Sequence, residues 1–355
     1  MYICCIICVS LKAPQHIFMK YSLIIATYNR LEELKELIAS LEAMDFPTVD
    51  FELIVSDDGS TDGTGEYLRS RAFSFPFQYL SQQHKGPGEA RNYGMQQARG
   101  EYFIFIDSDC IVPADYLAKV DQFLKKDPVD AFGGPDDCHP DFPPMLKAIN
   151  YSMTSFLGTG GTRGSTRSVT KFYPRSFNMG LHRRVFEQIG GMNQLRHGQD
   201  MDLSARIYNA GFRVALIPDA VVYHKRRTNL RRFYKQIFNW GVARINLGTT
   251  YPELLKPVHL APAFLVAAAL AAVLFMLIFP VLRFMGILMI AGMAGIALLA
   301  FIQSFLRYHS LKVALLSIAT LFIQVFAYGM GTWSGILQRL KGEQVAKGYT
   351  KNYYK

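Results

Sequence analysis

The chain has 355 residues, enough for one α/β domain of ordinary size and a substantial further segment. Half of it is hydrophobic and only 19% is charged, below the roughly 25% of a soluble chain, which argues against a protein wholly surrounded by water. The net charge of +10 suits anionic lipid, a phosphorylated ligand or nucleic acid, but nucleic-acid binding would leave the apolar segments unexplained.

Taken in chain order, Met1–Leu11 is apolar but short and has no positive n-region, so it does not read as a signal peptide. Residues 1–19 read as an N-terminal extension, with Met19 just before the first strand. Ser22–Ala26 is expected as a buried strand and Leu31–Met44 as a helix with Leu34, Leu37, Ile38 and Leu41 on one face. Phe51–Ser56 is a second strand, Asp58-Gly59-Ser60 a turn, and Asp62 the start of a short helix. Pro87–Arg99 reads as a helix, Glu101–Ile106 as a strand, and Pro113–Lys125 as a helix with Pro near its first turn. Alternating strands and helices imply an α/β fold with a mostly parallel, Rossmann-like sheet covered on both faces. Ligands bind such sheets at the carboxyl ends of strands, where Asp57, Asp58, Asp107 and Asp109 fall.

This α/β domain is expected over residues 20–235 and a juxtamembrane segment over 236–257. Lys225, Arg226, Arg227, Arg231, Arg232 and Lys235 precede the apolar region, as expected of a segment facing anionic lipid headgroups. Within residues 258–338 lie three apolar runs, Leu260–Phe279, Phe284–Leu306 and Val313–Gln338. Each reaches the ~20 residues that cross a bilayer as a helix, so the chain reads as a multi-pass membrane protein. A basic tail, residues 339–355, follows. Three full crossings would put Arg339, Lys341, Lys347, Lys351 and Lys355 on the side opposite the α/β domain. Positive charge normally stays on the cytoplasmic side. Either one run does not cross fully or the tail breaks that rule.

Five cysteines, three of them (Cys4, Cys5, Cys8) crowded at the N-terminus and two (Cys110, Cys138) isolated, show no zinc spacing. Their odd count argues against a disulfide framework and for a reducing compartment.

The acidic pair is the strongest chemical signal. Asp107 and Asp109 follow an apolar strand one residue apart, so extended backbone lets both point the same way. With phosphate oxygens they make a hard site for Mg²⁺ or Mn²⁺, and such an ion neutralises a departing diphosphate. Upstream, Asp57 or Asp58 can accept a hydrogen bond from a base N–H or a ribose hydroxyl, and Gly59 permits the tight turn. Gly86-Pro87-Gly88 opens like a dinucleotide fingerprint, but the third glycine is missing and no convincing strand leads directly into it.

Ala26-Thr27-Tyr28-Asn29-Arg30, Asp57-Asp58-Gly59-Ser60-Thr61-Asp62, Gly86–Gly94 and Asp107-Ser108-Asp109 come in that order. This ordered set resembles the glycosyltransferases of family 2, over roughly residues 20–245. Ala26 departs from the family's usual Pro. The resemblance implies a nucleotide-diphospho-sugar transferase fold followed by C-terminal transmembrane helices. It places Thr27, Tyr28, Asn29 and Arg30 at the nucleoside, with Asp57 or Asp58 on base or ribose. It puts Arg91, Asn92, Asp107 and Ser108 beside the donor, and Asp107, Asp109 and His224 at the metal. Asp200, in Gly198-Gln199-Asp200-Met201-Asp202, matches the base of inverting members, with Gln199 where the family has Glu and Asp202 in support. Asn178 and Gly180 resemble an acceptor-side glycine loop, and Gln236 and Trp240 belong to a Gln-x-x-Arg-Trp-like stretch in which Asn239 replaces Arg.

The expected activity is transfer of a sugar from a nucleoside-diphosphate donor, with inversion and a divalent metal, to a lipid-linked or envelope-glycan acceptor. The α/β domain is expected in the cytoplasm, where nucleotide sugars are made. Asn239 and the lack of earlier spans favour single transfer over a processive polysaccharide synthase. A non-enzymatic membrane protein with a degenerate transferase domain would have lost Asp107, Asp109 and Asp200.

Overall fold

The computed structural model describes residues 19–160, 171–195, 197–225, 229–279 and 283–342. The extension before Met19, Arg226, Arg227 and the tail lysines 347, 351 and 355 lie outside the described residues.

The first half alternates strand and helix: β1 (Tyr21–Thr27), α1 (Leu31–Glu42), β2 (Phe51–Asp57), α2 (Thr64–Ser70), β3 (Phe77–Ser81), α3 (Pro87–Gln97) and β4 (Tyr102–Ile106). Strands β2 and β4 are buried at every position, and β1 at all but Ala26. That is the mark of sheet interior covered on both faces, and it explains why these strands read as unbroken apolar runs. Helix α1 buries the four residues its periodicity selects, Leu34, Leu37, Ile38 and Leu41. The expected helix starts shift slightly: α2 begins at Thr64, after Asp62 has bound its backbone N–H at 3.2 Å, and α4 begins at Tyr116.

Then follow β5 (Cys110–Ile111), α4 (Tyr116–Lys126), β6 (Ala131–Gly133), β7 (Asp136–Asp137), α5 (Pro144–Thr154), α6 (Phe156–Thr159), β8 (Asn178–His182), α7 (Arg183–Ile189), α8 (Gln199–Asn209), β9 (Val214–Leu216) and β10 (Val222–His224). The main sheet runs β3-β2-β1-β4-β8-β6-β9. Pairs β1–β2, β1–β4, β2–β3 and β6–β9 are parallel, whereas β8 is antiparallel to both β4 and β6. A small second sheet, β5-β10-β7, sits at its carboxyl edge.

Two expectations change. Asn178 and Gly180 are not in a loop: they lie inside β8, both buried. Gly180 faces the Phe132 ring so closely that a Cβ there would lie 2.1 Å from it. A strand, β3, does precede Gly86, five residues ahead of the α3 turn. It is an edge strand of half-buried residues ending in exposed Ser81, which is why its apolar signal is weak.

Helix α9 (Leu230–Thr250) and a 3₁₀ turn (Pro252–Leu254) lead into three helices: α10 (Pro257–Ile278), α11 (Arg283–Tyr308) and α12 (Leu311–Leu340). All three are long and apolar enough to cross a membrane. They differ in their surroundings. Only 11% of the apolar window is buried inside the protein in α10 and in α11, against 44% in α12. Helix α12 lies along the α/β domain. Three turns in, the Thr320 hydroxyl donates to the Ala148 carbonyl of α5 at 3.0 Å. Towards its end, Gly331 meets the Phe238 carbonyl of α9. Helices α10 and α11 meet where Met276 covers Gly286, and the returning end of α11 reaches the domain through Tyr308, whose hydroxyl accepts from Asn150 at 3.0 Å.

Candidate active site

The site forms where β4 leaves the sheet. Its buried run ends at Ile106, so Asp107 is the first side chain free of the core. Register Ile106↔Asn178 sets the N-terminal end of β8 at the same sheet edge, because β8 runs antiparallel to β4. Arg175, Ser176 and Phe177 therefore stand beside Asp107, Ser108 and Asp109, and all six line a cavity of about 310 Å³. The small sheet brings a second partner. His224 pairs with Cys110 in register, which places its Nε2 3.2 Å from Asp109 Oδ1.

Charge is concentrated here. Arg91 Nη2 donates to Asp107 Oδ1 at 2.5 Å, and Arg30 Nη1 lies 3.3 Å from Asp109 Oδ2. His224 Nδ1 lies 3.6 Å from Asp136. Burial pushes the His224 pKa down, but Asp109 and Asp136 outweigh burial and hold it at about 9, so the imidazole is a cation at neutral pH. Burial, with the nearby carboxylates, raises the Cys110 thiol well above its usual range. The thiol stays protonated and contacts the Phe177 carbonyl at 3.9 Å.

Asp109, Cys110 and His224 each offer one ligand atom, all within 4.8 Å of one another. A carboxylate and an imidazole in an acidic cluster fit a divalent cation, which would take the place of the His224 proton. The neutral Cys110 thiol is a poor ligand beside them.

Helix α8 forms the facing wall. Gly198, at φ +79°, starts it, and a Cβ there would meet Leu247 at 2.7 Å. That turn brings Gln199 and Asp200 to the cavity. Asp200 is 3.5 Å from Arg175 Nη1 and accepts the Met201 N–H at 2.9 Å. Gln199 packs over Gly88 at the start of α3, where even a methyl group would collide with its amide at 2.6 Å. Asp202 faces away and is fully used, accepting from Asn193, Arg206 and Tyr251 at 2.9, 3.0 and 2.9 Å.

Helix α9 supplies the third wall: Gln236, Trp240, Ala243 and Arg244 line the cavity one turn after another, with Met153 of α5 and Tyr328 of α12. Arg91 Nε and Gln236 Oε1 are buried there without a hydrogen-bond partner among the described residues, as expected of groups that await a polar ligand.

The remaining expected residues sit beside the cavity rather than on it. Asp57 accepts from the Ser60 N–H at 2.9 Å and the Tyr79 hydroxyl at 2.8 Å. Asp58 accepts from the Lys85 and Gly86 N–H groups, both at 2.8 Å, and so shapes the loop into α3. Asn29 adopts φ +50°, and its Oδ1 accepts the Thr61 N–H at 2.7 Å. Tyr28 stacks on His84 with ring centroids 3.9 Å apart. Thr27 is buried at the end of β1. Asn92 turns to the Met192 backbone, donating to its carbonyl at 2.9 Å and accepting its N–H at 2.8 Å. Asn178 donates to the Ala220 carbonyl at 2.7 Å and accepts from the Tyr116 hydroxyl at the same distance. Arg175, Phe177, Met153, Arg244 and Tyr328 line the site without having been anticipated.

A family model described as "Glycosyl transferase family 2" matches residues 22–190, and one described as "Glycosyl transferase family 21" matches residues 156–335. The chain belongs to the glycosyltransferases and carries a family 2 domain.

Among curated proteins it is similar to the poly(ribitol-phosphate) β-N-acetylglucosaminyltransferase TarS of Staphylococcus aureus, at 36% identity over 108 residues, 30% of this chain and 19% of TarS. The similarity thus spans about a fifth of that relative. It is also similar to the glycosyltransferase AglE of Haloferax volcanii, at 27% over 237 residues, 64% of this chain and 76% of AglE. A mannosyltransferase of Pyrobaculum calidifontis, solved with GDP-Man and Mn²⁺, shares the fold with a TM-score of 0.60 at 21% identity, over 84% of this chain and 86% of that one.

Proposed function

We propose that the enzyme moves one sugar from a nucleoside-diphosphate sugar to a lipid-linked acceptor, with inversion at the anomeric carbon. One observation carries this reading: a single cavity has Asp107, Asp109 and His224 on one wall and Asp200 on another. Direct displacement needs that separation. Asp200 takes the proton of the acceptor hydroxyl as the new C–O bond forms. The bond from the anomeric carbon to the diphosphate breaks on the opposite face, and the nucleoside diphosphate leaves. Asp109 and His224, with Asp107, would hold a divalent ion, and the imidazole favours Mn²⁺ over Mg²⁺. Such an ion supplies positive charge to the departing diphosphate. The unpartnered Arg91 Nε is placed to donate to the same group. Thr27, Tyr28, Asn29, Arg30, Asp57 and Asp58 frame the nucleoside end, mostly through the loops they lock together. Asn239, uncharged and not on the cavity wall, supports single transfer over processive synthesis.

The helix contacts support a membrane arrangement. Helices α10 and α11 cross as a hairpin, and their large apolar residues face lipid, among them Phe264, Leu270, Phe284 and Ile290 at 61–67% exposure. Helix α12 stays with the catalytic domain, since its middle turns, at Thr320 and Gly331, pack on α5 and α9. That topology keeps Arg339 and Lys341, at the end of α12, on the side of the catalytic domain, in keeping with the positive-inside rule. A single cysteine placed after Lys341 would be labelled from the domain side by an impermeant maleimide; labelling from the far side only would reverse this topology.

The test of function is a screen of nucleotide sugars with the purified full chain in detergent, Mn²⁺ or Mg²⁺, and a lipid extract. Metal-dependent release of nucleoside diphosphate, lost in Asp109→Ala and in Asp200→Ala, is expected. Wild type that neither binds nor turns over any donor would overturn the reading.

A further inference from the structure

The transfer step leaves one buried carboxylate behind the acidic wall unused, that of Asp136. The stretch Gly133-Gly134-Pro135-Asp136 brings it there by close backbone approach. A Cβ on Gly134 would lie 1.9 Å from the Ala220 carbonyl oxygen, so only glycine lets the two segments touch. Asn178 clasps both, its amide nitrogen donating to the Ala220 and Pro135 carbonyls at 2.7 and 3.3 Å. The Val222 N–H donates to the Pro135 carbonyl at 3.1 Å. Strand β7 then pairs with β10 in the register Val222↔Asp136 and Tyr223↔Asp137. Successive side chains of a strand point to opposite sides. Asp137, half exposed, turns outward to Arg307 of α11 and to Asn150, both at 3.2 Å. Asp136 turns inward, with its side chain 5% exposed.

Inward lies His224. Its Nδ1 is 3.6 Å from Asp136, while its Nε2 is 3.2 Å from Asp109. The imidazole thus bridges two carboxylates, and only Asp109 stands among the candidate metal ligands. Phe177 flanks the ring, with centroids 5.2 Å apart, and pairing with Cys110 fixes the His224 backbone. Nδ1 is buried and has no hydrogen-bond partner among the described residues. An imidazole that gives Nε2 to a metal ion keeps its remaining proton on Nδ1, and that N–H needs an acceptor. A carboxylate in that place fixes the tautomer and the ring orientation and makes Nε2 more basic. At 3.6 Å the two groups attract as charges. A movement of about half an ångström turns the contact into a hydrogen bond.

We infer that Asp136 is a positioning residue of the metal centre: its carboxylate holds the Nδ1 proton of His224, so that the Nε2 lone pair is turned towards Asp109. This rests on the metal reading of Asp109 and His224 given above. Metal binding then displaces only the Nε2 proton, which leaves to solvent, and Asp136 touches neither ion nor donor. Removing an acceptor of this kind typically lowers metal affinity about 10–100-fold.

The experiment uses the full chain in detergent and Mn²⁺, with and without UDP or GDP. Free Mn²⁺ is read from its electron paramagnetic resonance signal against a protein-free control. Asp136→Ala is expected to weaken Mn²⁺ binding at least tenfold. Asp136→Asn, which keeps an oxygen for Nδ1, recovers part of the loss. Asp137→Ala, on the same strand, stays within about twofold. In a His224→Ala chain, adding Asp136→Ala costs nothing further, because the carboxylate acts only through the ring. Wild-type affinity in Asp136→Ala, or a full further loss on top of His224→Ala, overturns the inference and leaves the metal reading standing. A loss in Asp137→Ala as large as in Asp136→Ala overturns it too, since the effect then belongs to β7 as a strand. Wild type that takes up no Mn²⁺ under either condition, or a His224→Ala chain that binds it as tightly as wild type, overturns the metal reading itself and this inference with it.

Discussion

Asp109 and His224 meet at 3.2 Å because Cys110 and His224 are cross-strand partners in a three-stranded sheet too small to be read from sequence. Each strand of this pair is only two or three residues long. Removing the imidazole therefore tests the metal reading with little risk to the main sheet. His224→Ala is expected to raise the Mn²⁺ concentration for half-maximal turnover by at least tenfold, with an unchanged circular dichroism spectrum. Unaltered metal dependence would move the ion away from His224.

Asp200→Asn keeps the side-chain shape and removes the proton acceptor. Positioned general bases contribute roughly 10²–10⁴-fold, so kcat should fall by that factor while donor binding stays within about twofold. A comparable loss in donor affinity would mean that Asp200 belongs to the donor site.

Gly180 has no room for a side chain against Phe132. Forcing a methyl group into a packed core costs about 1–3 kcal/mol. Gly180→Ala should lower the thermal midpoint in detergent, and Phe132→Leu in the same chain should recover part of it. A neutral Gly180→Ala would show that β8 yields where it is expected to be rigid.

Tyr21 and Asp121 give the domain a pH signature. Burial, and the hydrogen bond to Asp121 at 2.9 Å, raise the Tyr21 pKa far above its usual 10.0. Its contribution to stability is present below pH 10 and is lost as the pH climbs beyond that. Burial pushes Asp121 up, but hydrogen bonds from Lys125 and Tyr21 outweigh it and hold its pKa below 3.8. That contribution is present above pH 3.8 and fades as the pH falls further. Tyr21→Phe should flatten the alkaline fall of the thermal midpoint and reduce the acid fall. Identical profiles for the two proteins would remove this pair from the account.

The strands β1, β2 and β4 were legible because full burial makes them continuous apolar runs, and α1 because its buried face has helical period. The three helices long enough to span a membrane follow from the length of their apolar runs. The short strands β6, β7 and β9 were hidden, since two or three residues carry no period. β8 was read as a loop because its Asn and Gly look like turn residues, although Met179 and Leu181 alternate as a strand should. The acidic half of the site was visible at strand ends. Arg175, Phe177 and Tyr328 were not, because they join the site only through antiparallel pairing and helix docking. Arg244 had a signal: positions 236, 240, 243 and 244 fall on one helical face.

Tyr328 belongs to α12 and also lines the cavity, so the last apolar helix is not merely a tether. Cutting the chain before α10 to obtain a water-soluble fragment would strip away one wall of the reaction chamber and uncover the α9 glycine at 241, which rests against the Tyr328 carbonyl. Such a fragment should still recognise a nucleotide yet transfer sugar poorly. In this molecule one helix, α12, is both long and apolar enough to span a bilayer and part of the cavity wall.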